Sequence, residues 1–122
     1  MTTTVSDNRD VALEIGYRAT DWPYAITWDQ YVEQLADWSV KLIERDGEGI
    51  GALYRRNGEV HVSILPQWRG KWATRGLIRE ILGNGATRTV VTKGHEFMLG
   101  VLKRLGLREV RPYEFEVNHG NC

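Results

Sequence analysis

A basic loop that leads into a helix is the part of this sequence best suited to chemistry. An apolar run ends at Pro66, and Arg69, Gly70, Lys71 and Arg75 follow it closely. Apolar residues then recur with a period of about 3.6 residues, at Leu77, Ile78, Ile81 and Leu82. A strand, a loop and a helix in this order aim backbone N–H groups and the positive end of a helix dipole at one point. The stretch therefore predicts an anion site suited to phosphate.

Two titratable residues precede this loop. His61 and Glu59 lie on one face of an alternating stretch, with Val60 and Val62 on the other face. Either side chain could accept a proton from an attacking amine, directly or through a water molecule, and histidine is the side chain best suited to that role near neutral pH. Alternation in a half-exposed strand also accounts for both residues, and it is the commoner reason for such a pattern.

The composition indicates one folded domain. A chain of 122 residues can bury a single core, and 42% hydrophobic with 26% charged residues favours an ordered protein. The 16 basic and 16 acidic residues cancel, so no overall field draws the chain to nucleic acid. The basic residues around the loop form a local patch, which favours a phosphorylated small molecule or an acidic partner over DNA or RNA.

The sequence also argues against several kinds of site. Cys122 is the only cysteine, so no intrachain disulfide can form, and the three histidines lie far apart, which predicts no metal site. The first residues have neither a basic start nor an apolar core, and no apolar run has the length of a membrane span. We expect a cytoplasmic protein.

The first third of the chain combines ambiguous and clear signals. Residues 1 to 9 are predicted to be a loose polar lead-in. The segment Val11 to Tyr17 alternates as a strand does but could also begin a helix, and we favour a strand that ends near Arg18. Thr27 and Gln30 form a capping box, which predicts a helix that ends near Asp37.

An antiparallel meander is predicted next. Asp46-Gly47 and Asn57-Gly58 favour tight hairpin turns, and they separate three strands over residues 38–44, 48–55 and 59–65. The glycines at 47, 49 and 51 predict a bulge or a close backbone approach in the middle strand.

The last third predicts a crossover and a closing unit. After the helix that follows the basic loop, residues 87–92 form a β-branched strand, which a right-handed crossover places parallel to the strand at 59–65. A helix over 96–105 with Gly106 as its C-terminal cap follows, and then strands over 107–110 and 113–117. The pattern predicts a mixed sheet with helices on it, in an α+β or α/β arrangement.

The loop and this order of elements resemble the GNAT (Gcn5-related) N-acetyltransferases over about residues 13 to 117. In that family an Arg/Gln-x-x-Gly-x-Gly/Ala loop wraps the pyrophosphate of acetyl-coenzyme A. Pro66 to Arg75 matches the fuller form of that loop, and Lys103 to Leu107 resembles the closing Lys-Leu-Gly-Phe element. The resemblance implies one GNAT-like domain over residues 1–122: a central mixed sheet of six to seven strands with an antiparallel meander, flanked by about three helices.

The resemblance also implies a set of coenzyme-binding residues. These residues are Ile64, Leu65, Arg69, Gly70, Lys71, Trp72, Ala73, Thr74, Arg75 and His95. The backbone of Ile64 and Leu65 would hold the pantetheine arm and polarise the thioester, and His95 takes the place of a family asparagine. Trp22, Trp28 and Tyr31 would lie near the acceptor pocket, although packing in the core accounts for them as well.

Besides His95, three positions depart from the family pattern. Trp72 and Thr74 stand where the loop has small residues, and glycine serves there because backbone must approach phosphate closely. Trp72 would either swing outward as a lid or plug the site; Trp68 and Trp72 could also stack on an adenine or pack beneath the loop. Leu102 replaces the tyrosine that many members use as general acid, and leucine donates no proton.

Two classes of function follow from the resemblance. The first is an N-acyltransferase that moves an acyl group from acetyl-CoA or another acyl-CoA to an amine, with His61 or Glu59 as the base. The second is a catalytically degenerate binding or structural protein, because the chain also resembles small GNAT-like proteins of tailed bacteriophages, one of them found in virions. Pairing through an exposed sheet edge would allow a homodimer or a protein partner in either class.

Overall fold

A computed structural model of the chain describes residues 3–19, 25–69, 72, 74–83, 87–91 and 97–117, with the backbone alone at positions 75 and 97. These ranges form, in chain order, β1 (Thr3–Ser6), α1 (Arg9–Ala19), α2 (Trp28–Gln34), β2 (Ser39–Arg45), β3 (Glu48–Arg56), β4 (Glu59–Ile64), a 3-10 turn (Pro66–Trp68), α3 (Arg75–Gly83), β5 (Arg88–Val90), α4 (Phe97–Arg104), β6 (Arg108–Arg111) and β7 (Glu114–Glu116).

The strands form one mixed sheet in the order β1-β2-β3-β4-β5-β7-β6. The β4 and β5 strands pair in parallel, and every other neighbouring pair is antiparallel. This confirms the predicted mixed sheet, its antiparallel meander and the parallel crossover through α3. The described ranges hold four α-helices where about three were predicted.

The two hairpins of the meander have the predicted turns. Asp46 and Gly47 have φ angles of 53° and 84°, and Asn57 and Gly58 have 49° and 84°. Positive φ at both central residues is the geometry whose twist matches that of paired strands. The predicted irregularity of the middle strand is also present, because the β2–β3 register shifts between Ile43 and Glu44, opposite residues 49–51.

The predicted strand over Val11 to Tyr17 is wrong, because this segment lies in α1. Its buried residues follow a helical stripe rather than an alternation: Ala12, Leu13, Ile15, Gly16 and Ala19. Asn8 precedes the helix, and its side chain accepts a hydrogen bond from the Val11 N–H at 3.4 Å. Small residues supply part of the stripe, so a pattern judged by large apolar residues alone gave the wrong period.

The predicted loose lead-in over residues 1–9 is also wrong for the part that the structure describes. Residues 3–6 form β1, which pairs antiparallel with β2, with Val5 opposite Ile43. Four residues carry too short a pattern to reveal an edge strand, and the pairing depends on a partner about forty residues later in the chain.

Helices cover both faces of the sheet. The α1 and α2 helices pack on one face, over a core that includes Tyr31, Leu42 and Tyr54. The capping box of Thr27 and Gln30 is present as predicted, although α2 ends at Gln34 and turns continue to Asp37. The α3 and α4 helices pack on the opposite face, over the larger core described below.

Candidate functional site

Among the described residues, the β4 and β5 strands pair only near the start of each strand. Their register joins Glu59 to Arg88 and Val60 to Thr89, and the Thr89 hydroxyl donates to the Val60 carbonyl at 2.9 Å. On its other side β5 pairs with β7 at all three of its residues, and the next N–H, that of Val91, donates to the Tyr113 carbonyl at 2.8 Å. We call the region between β4 and the β5 side of the sheet, beyond the last described pair of these two strands, the split.

One backbone edge of β4 faces this split. The Leu65 N–H donates to the Ile50 carbonyl at 2.9 Å, so every second residue of β4, counted back from Leu65, directs its backbone groups toward β3. Val62 and Ile64 alternate with those residues and direct their backbone groups toward β5, beyond the last described pair of the two strands. Part of a strand edge therefore lines the split, and such an edge can pair with an extended ligand that carries amides.

Trp72 lies on the sheet face that α3 and α4 cover, beside residues of β4 and β5. Its side chain is 1% exposed and belongs to the core formed with α3 and α4. Its indole Nε1 is buried without a hydrogen-bond acceptor among the described residues. Of the predicted alternatives, packing inside the protein is therefore correct for Trp72. Trp68 is half-buried beside the same core, with the Arg45 guanidinium 5.7 Å from its ring centroid.

Little space remains beside the indole. A cavity of about 50 Å³ lies between the sheet and the two helices, and its walls include Val60, Val62, Thr89, Ile78 and Leu102 as well as Trp72. Pockets that bind small molecules measure roughly 300–1,000 Å³. Leu102, which stands where the family has its tyrosine, is 3% exposed and contributes only hydrocarbon to this wall.

The Arg69 side chain donates hydrogen bonds to two backbone carbonyls that are far apart in sequence. Its Nε donates to the Ile64 carbonyl at 3.1 Å, and one terminal nitrogen donates to the Ala19 carbonyl at 2.7 Å. The guanidinium thereby joins the end of β4 to the last residue of α1. Its predicted role as an anion ligand stays a prediction, and the contact with Ala19 gives it a structural role that the sequence did not indicate.

Thr74 caps α3. Its hydroxyl accepts from the Leu77 N–H at 3.1 Å and its carbonyl accepts from the Ile78 N–H at 3.0 Å. This contact gives a physical reason for a threonine where the family has a small residue. The predicted ligands Gly70, Lys71, Ala73 and His95 lie outside the described residues, as do Trp22 and the side chain of Arg75.

Glu59 and His61 are in contact, as their shared strand face predicted. The Glu59 carboxylate accepts from His61 Nε2, and its other oxygen accepts from Arg88 at 2.5 Å. The hydrogen bond from His61, followed by the charges of His61 and Arg88, lowers the pKa of Glu59 against the opposing effect of partial burial. Because an ionised carboxylate only accepts, Nε2 carries a proton in this contact, and in the neutral form of the imidazole the lone pair would be on Nδ1.

His61 lies on the sheet face that α1 and α2 cover. It pairs with Tyr54 of β3, and the Trp38 ring centroid is 5.5 Å from that of His61. Arg88 and Trp38 were not among the predicted site residues. The predicted parallel pairing carried no register, so it did not place Arg88 beside Glu59, and the position of Trp38 depends on the tertiary fold.

Two of the three predicted acceptor-side aromatics, Trp28 and Tyr31, lie in α2 on this same side of the sheet. Trp28 is 42% exposed, and its ring centroid is 5.7 Å from that of Tyr31 and 5.5 Å from that of Tyr17. Tyr31 is buried, and its hydroxyl is 2.8 Å from the Tyr54 hydroxyl. Burial, together with Tyr54, raises the pKa of Tyr31. Core packing is thus correct for Tyr31, and Trp28 presents part of its ring to solvent.

Within the described ranges, no three histidine, cysteine or carboxylate side chains cluster as a metal site would require. In the same ranges, no helix combines the length and apolar character needed to cross a membrane.

Solved structures with low sequence identity share this fold. An acetyltransferase from Thermus thermophilus has a TM-score of 0.63 and 14% identity, over 95% of this chain and 94% of that chain. YncA of Salmonella typhimurium, in a structure with acetyl-CoA, has a TM-score of 0.61 and 14% identity, over 100% of this chain and 98% of that chain. A ribosomal-protein-alanine N-acetyltransferase from Brucella melitensis has a TM-score of 0.63 and 12% identity, over 93% of this chain and 96% of that chain.

No protein-family model matches the chain, and no curated protein matches it in sequence. The similarity therefore lies in the structure, and it extends over more than nine-tenths of each chain. The chain has the fold of the GNAT acetyltransferases.

Proposed function

We propose that the chain is an acyl-CoA-dependent N-acyltransferase that uses the split as its coenzyme site. One observation carries the proposal: within the described residues, β4 and β5 pair at two positions, and the backbone edge of Val62 and Ile64 that faces β5 lies beyond them. A pantetheine arm carries amides that can pair with this edge as a short extra strand would. The related Salmonella structure contains acetyl-CoA, which supports the choice of ligand.

The residues around the split would supply binding and proton transfer. Acyl transfer breaks the thioester C–S bond, forms an amide C–N bond and releases a thiolate, while the amine loses a proton. We assign His61 as the base, directly or through water, because Glu59 holds the Nε2 proton and, in the neutral imidazole, leaves the lone pair on Nδ1. Glu59 is the positioning residue, since its lowered pKa makes it a weak base.

The backbone groups differ in what they can offer to a ligand. The Leu65 N–H already donates to Ile50, so Ile64 rather than Leu65 is our candidate for the thioester carbonyl. Basic side chains of the loop would bind the pyrophosphate, as the resemblance implies for Lys71 and Arg75.

Calorimetric titration with acetyl-CoA tests this proposal. We expect saturable binding with a Kd in roughly the micromolar range. Val62→Pro should weaken it at least about ten-fold, because proline removes an N–H on the split side while the β3 ladder keeps its hydrogen bonds. Val62→Thr keeps that N–H and should bind like the wild type. Failure to bind at millimolar acetyl-CoA would contradict the proposal.

A second candidate is a GNAT-fold binding or structural protein without catalysis. The filled core beside the split favours it, because Trp72 and Leu102 occupy positions where the family has a small residue and a general acid. A virion or host-interacting role, which the resemblance to phage proteins implies, belongs to this candidate. It predicts the opposite titration result: no acyl-CoA binding by a fully folded protein.

A further inference from the structure

We propose that Trp38 is a second positioning residue of the candidate site, and that it holds the His61 imidazole in the orientation in which Glu59 binds it. The inference rests on the proposed function, because it concerns the base assigned there. The ring centroids of Trp38 and His61 are 5.5 Å apart, with an angle of 58° between the ring planes. Aromatic side chains attract each other at such separations.

The imidazole needs more than one contact to keep a fixed orientation. The His61 side chain is 25% exposed, so the surrounding core does not enclose it. Glu59 accepts a hydrogen bond from Nε2, at the side of the ring far from Cβ. The χ2 torsion of histidine is broad, so one hydrogen bond at that side restrains the ring weakly. A flat surface against the ring restrains it further, and the Trp38 indole supplies one.

Trp38 is itself held at its backbone and at its ring. Its N–H donates to the Leu35 carbonyl at 3.0 Å, and its carbonyl accepts from Arg9 Nη1 at 2.6 Å. Arg9 also donates to the Leu35 carbonyl at 2.8 Å, which joins the start of α1 to the turn before β2. The Arg56 guanidinium lies 4.7 Å from the centroid of the Trp38 ring, within the range of a cation–π contact. The indole is therefore a fixed surface for its neighbour.

The orientation of the imidazole matters for proton transfer. A general base acts only within hydrogen-bond reach of the proton that it accepts, and small displacements from that geometry are costly. Glu59 fixes the ring at Nε2, and Trp38 fixes it from the side. Trp38 thus acts through His61, so its loss should lower the rate of transfer and leave the affinity for the coenzyme unchanged.

Nitrogen chemical shifts of the His61 ring test this inference without any substrate. In protein labelled with ¹⁵N-histidine, the Nε2 shift reports the hydrogen bond to Glu59, and Glu59→Ala gives the value for a ring that has lost it. Trp38→Leu should move the Nε2 shift toward that of Glu59→Ala. Trp38→Phe keeps an aromatic face and should stay at the wild-type value. Trp38→Met, which lacks an aromatic face but fills more space than alanine, covers the case in which Trp38→Leu does not fold.

Leu42→Val is the matched control. It loosens the core under α1 and α2, against which Trp38 also packs. Leu42 pairs with Ala52, however, and not with the neighbouring pair of Tyr54 and His61. Leu42→Val should therefore leave the His61 shifts at their wild-type values. Wild-type shifts in the folded Trp38→Leu or Trp38→Met protein, or an equal displacement in Leu42→Val, would overturn the inference.

Acyl transfer gives a second measurement. With saturating acetyl-CoA and a pool of amino-acid amides as acceptors, Trp38→Leu should release coenzyme A at least about ten-fold more slowly than the wild type, and Trp38→Phe should come within about three-fold of it. The Kd for acetyl-CoA should be the same in all three proteins. A wild type that does not bind millimolar acetyl-CoA would overturn the proposed function, whereas the ring shifts decide separately whether Trp38 orients His61.

Discussion

The Arg88 guanidinium of β5 donates a 2.5 Å hydrogen bond to the Glu59 carboxylate of β4, at the first of the two residue pairs that join these strands. Arg69 holds the other end of β4 through the Ile64 carbonyl. Two arginines therefore fix β4 on either side of its last described pair with β5. The geometry of the split depends on these contacts as well as on the strand ladder.

The ion pair predicts an acid-dependent contribution of Glu59 to stability. Its pKa is lowered from an ordinary value of 4.5, chiefly by the hydrogen bond from His61, so the folded state favours the ionised form. This contribution is present above about pH 4.5 and is lost as the pH falls through the lowered pKa. Glu59→Gln should reduce the free energy of unfolding by about 1 kcal/mol at pH 7.

Urea denaturation between pH 7 and pH 3 measures this effect. The wild type and Glu59→Gln should differ most at neutral pH and converge in acid, because protonation removes the charge that the variant already lacks. A constant difference between the two proteins across this range would contradict the assigned ion pair.

Arg69→Ala should destabilise the protein in the absence of any ligand. The substitution removes charge-assisted hydrogen bonds to Ile64 and Ala19, so the free energy of unfolding should fall by about 2 kcal/mol. Arg79→Ala, at an exposed position of α3, is the control and should change it by less than about 0.5 kcal/mol. Wild-type stability in Arg69→Ala would mean that Arg69 serves only as an anion ligand.

Two helical glycines should respond to alanine with opposite signs. A Cβ at Gly16 would lie 1.8 Å from the Tyr54 hydroxyl oxygen, and we expect Gly16→Ala to destabilise by about 2–3 kcal/mol. A Cβ at Gly76 meets nothing within 4 Å, so Gly76→Ala should stabilise α3 by about 0.5–1 kcal/mol. Thermal denaturation of both variants measures the contrast. Equal effects would show that α1 does not approach β3 so closely.

The meander, the crossover and the closing unit could be predicted because local chemistry determines them. Asn57-Gly58 requires positive φ angles wherever it folds, and Gly106 ends α4 with a φ of 90°. The sequence favoured a strand over the α1 helix, because Ala12 and Gly16 give a weak hydrophobic signal and the close approach of Gly16 to Tyr54 depends on the tertiary fold. The β1 strand exists only through its partner β2.

The contact of Glu59 with His61 could be predicted from the sequence, but the burial of Trp72 could not. Charge, glycine and helical period identified the loop, and alternation placed Glu59 beside His61. Sequence alone could not decide whether Trp72 points outward or inward, because both positions satisfy the same spacing. The Arg69 contact with Ala19 spans fifty residues and depends on the placement of α1, which the pattern had misassigned.

Amide chemical shifts during a titration with acetyl-CoA test the coenzyme site most directly. In ¹⁵N-labelled protein, the amides of Val62 and Ile64 and the indole N–H of Trp72 should shift and saturate together, while those of Thr4 and Val5 at the distant edge stay unchanged. Saturable shifts confined to other strands, or no shifts at millimolar acetyl-CoA, would contradict a coenzyme site between β4 and β5.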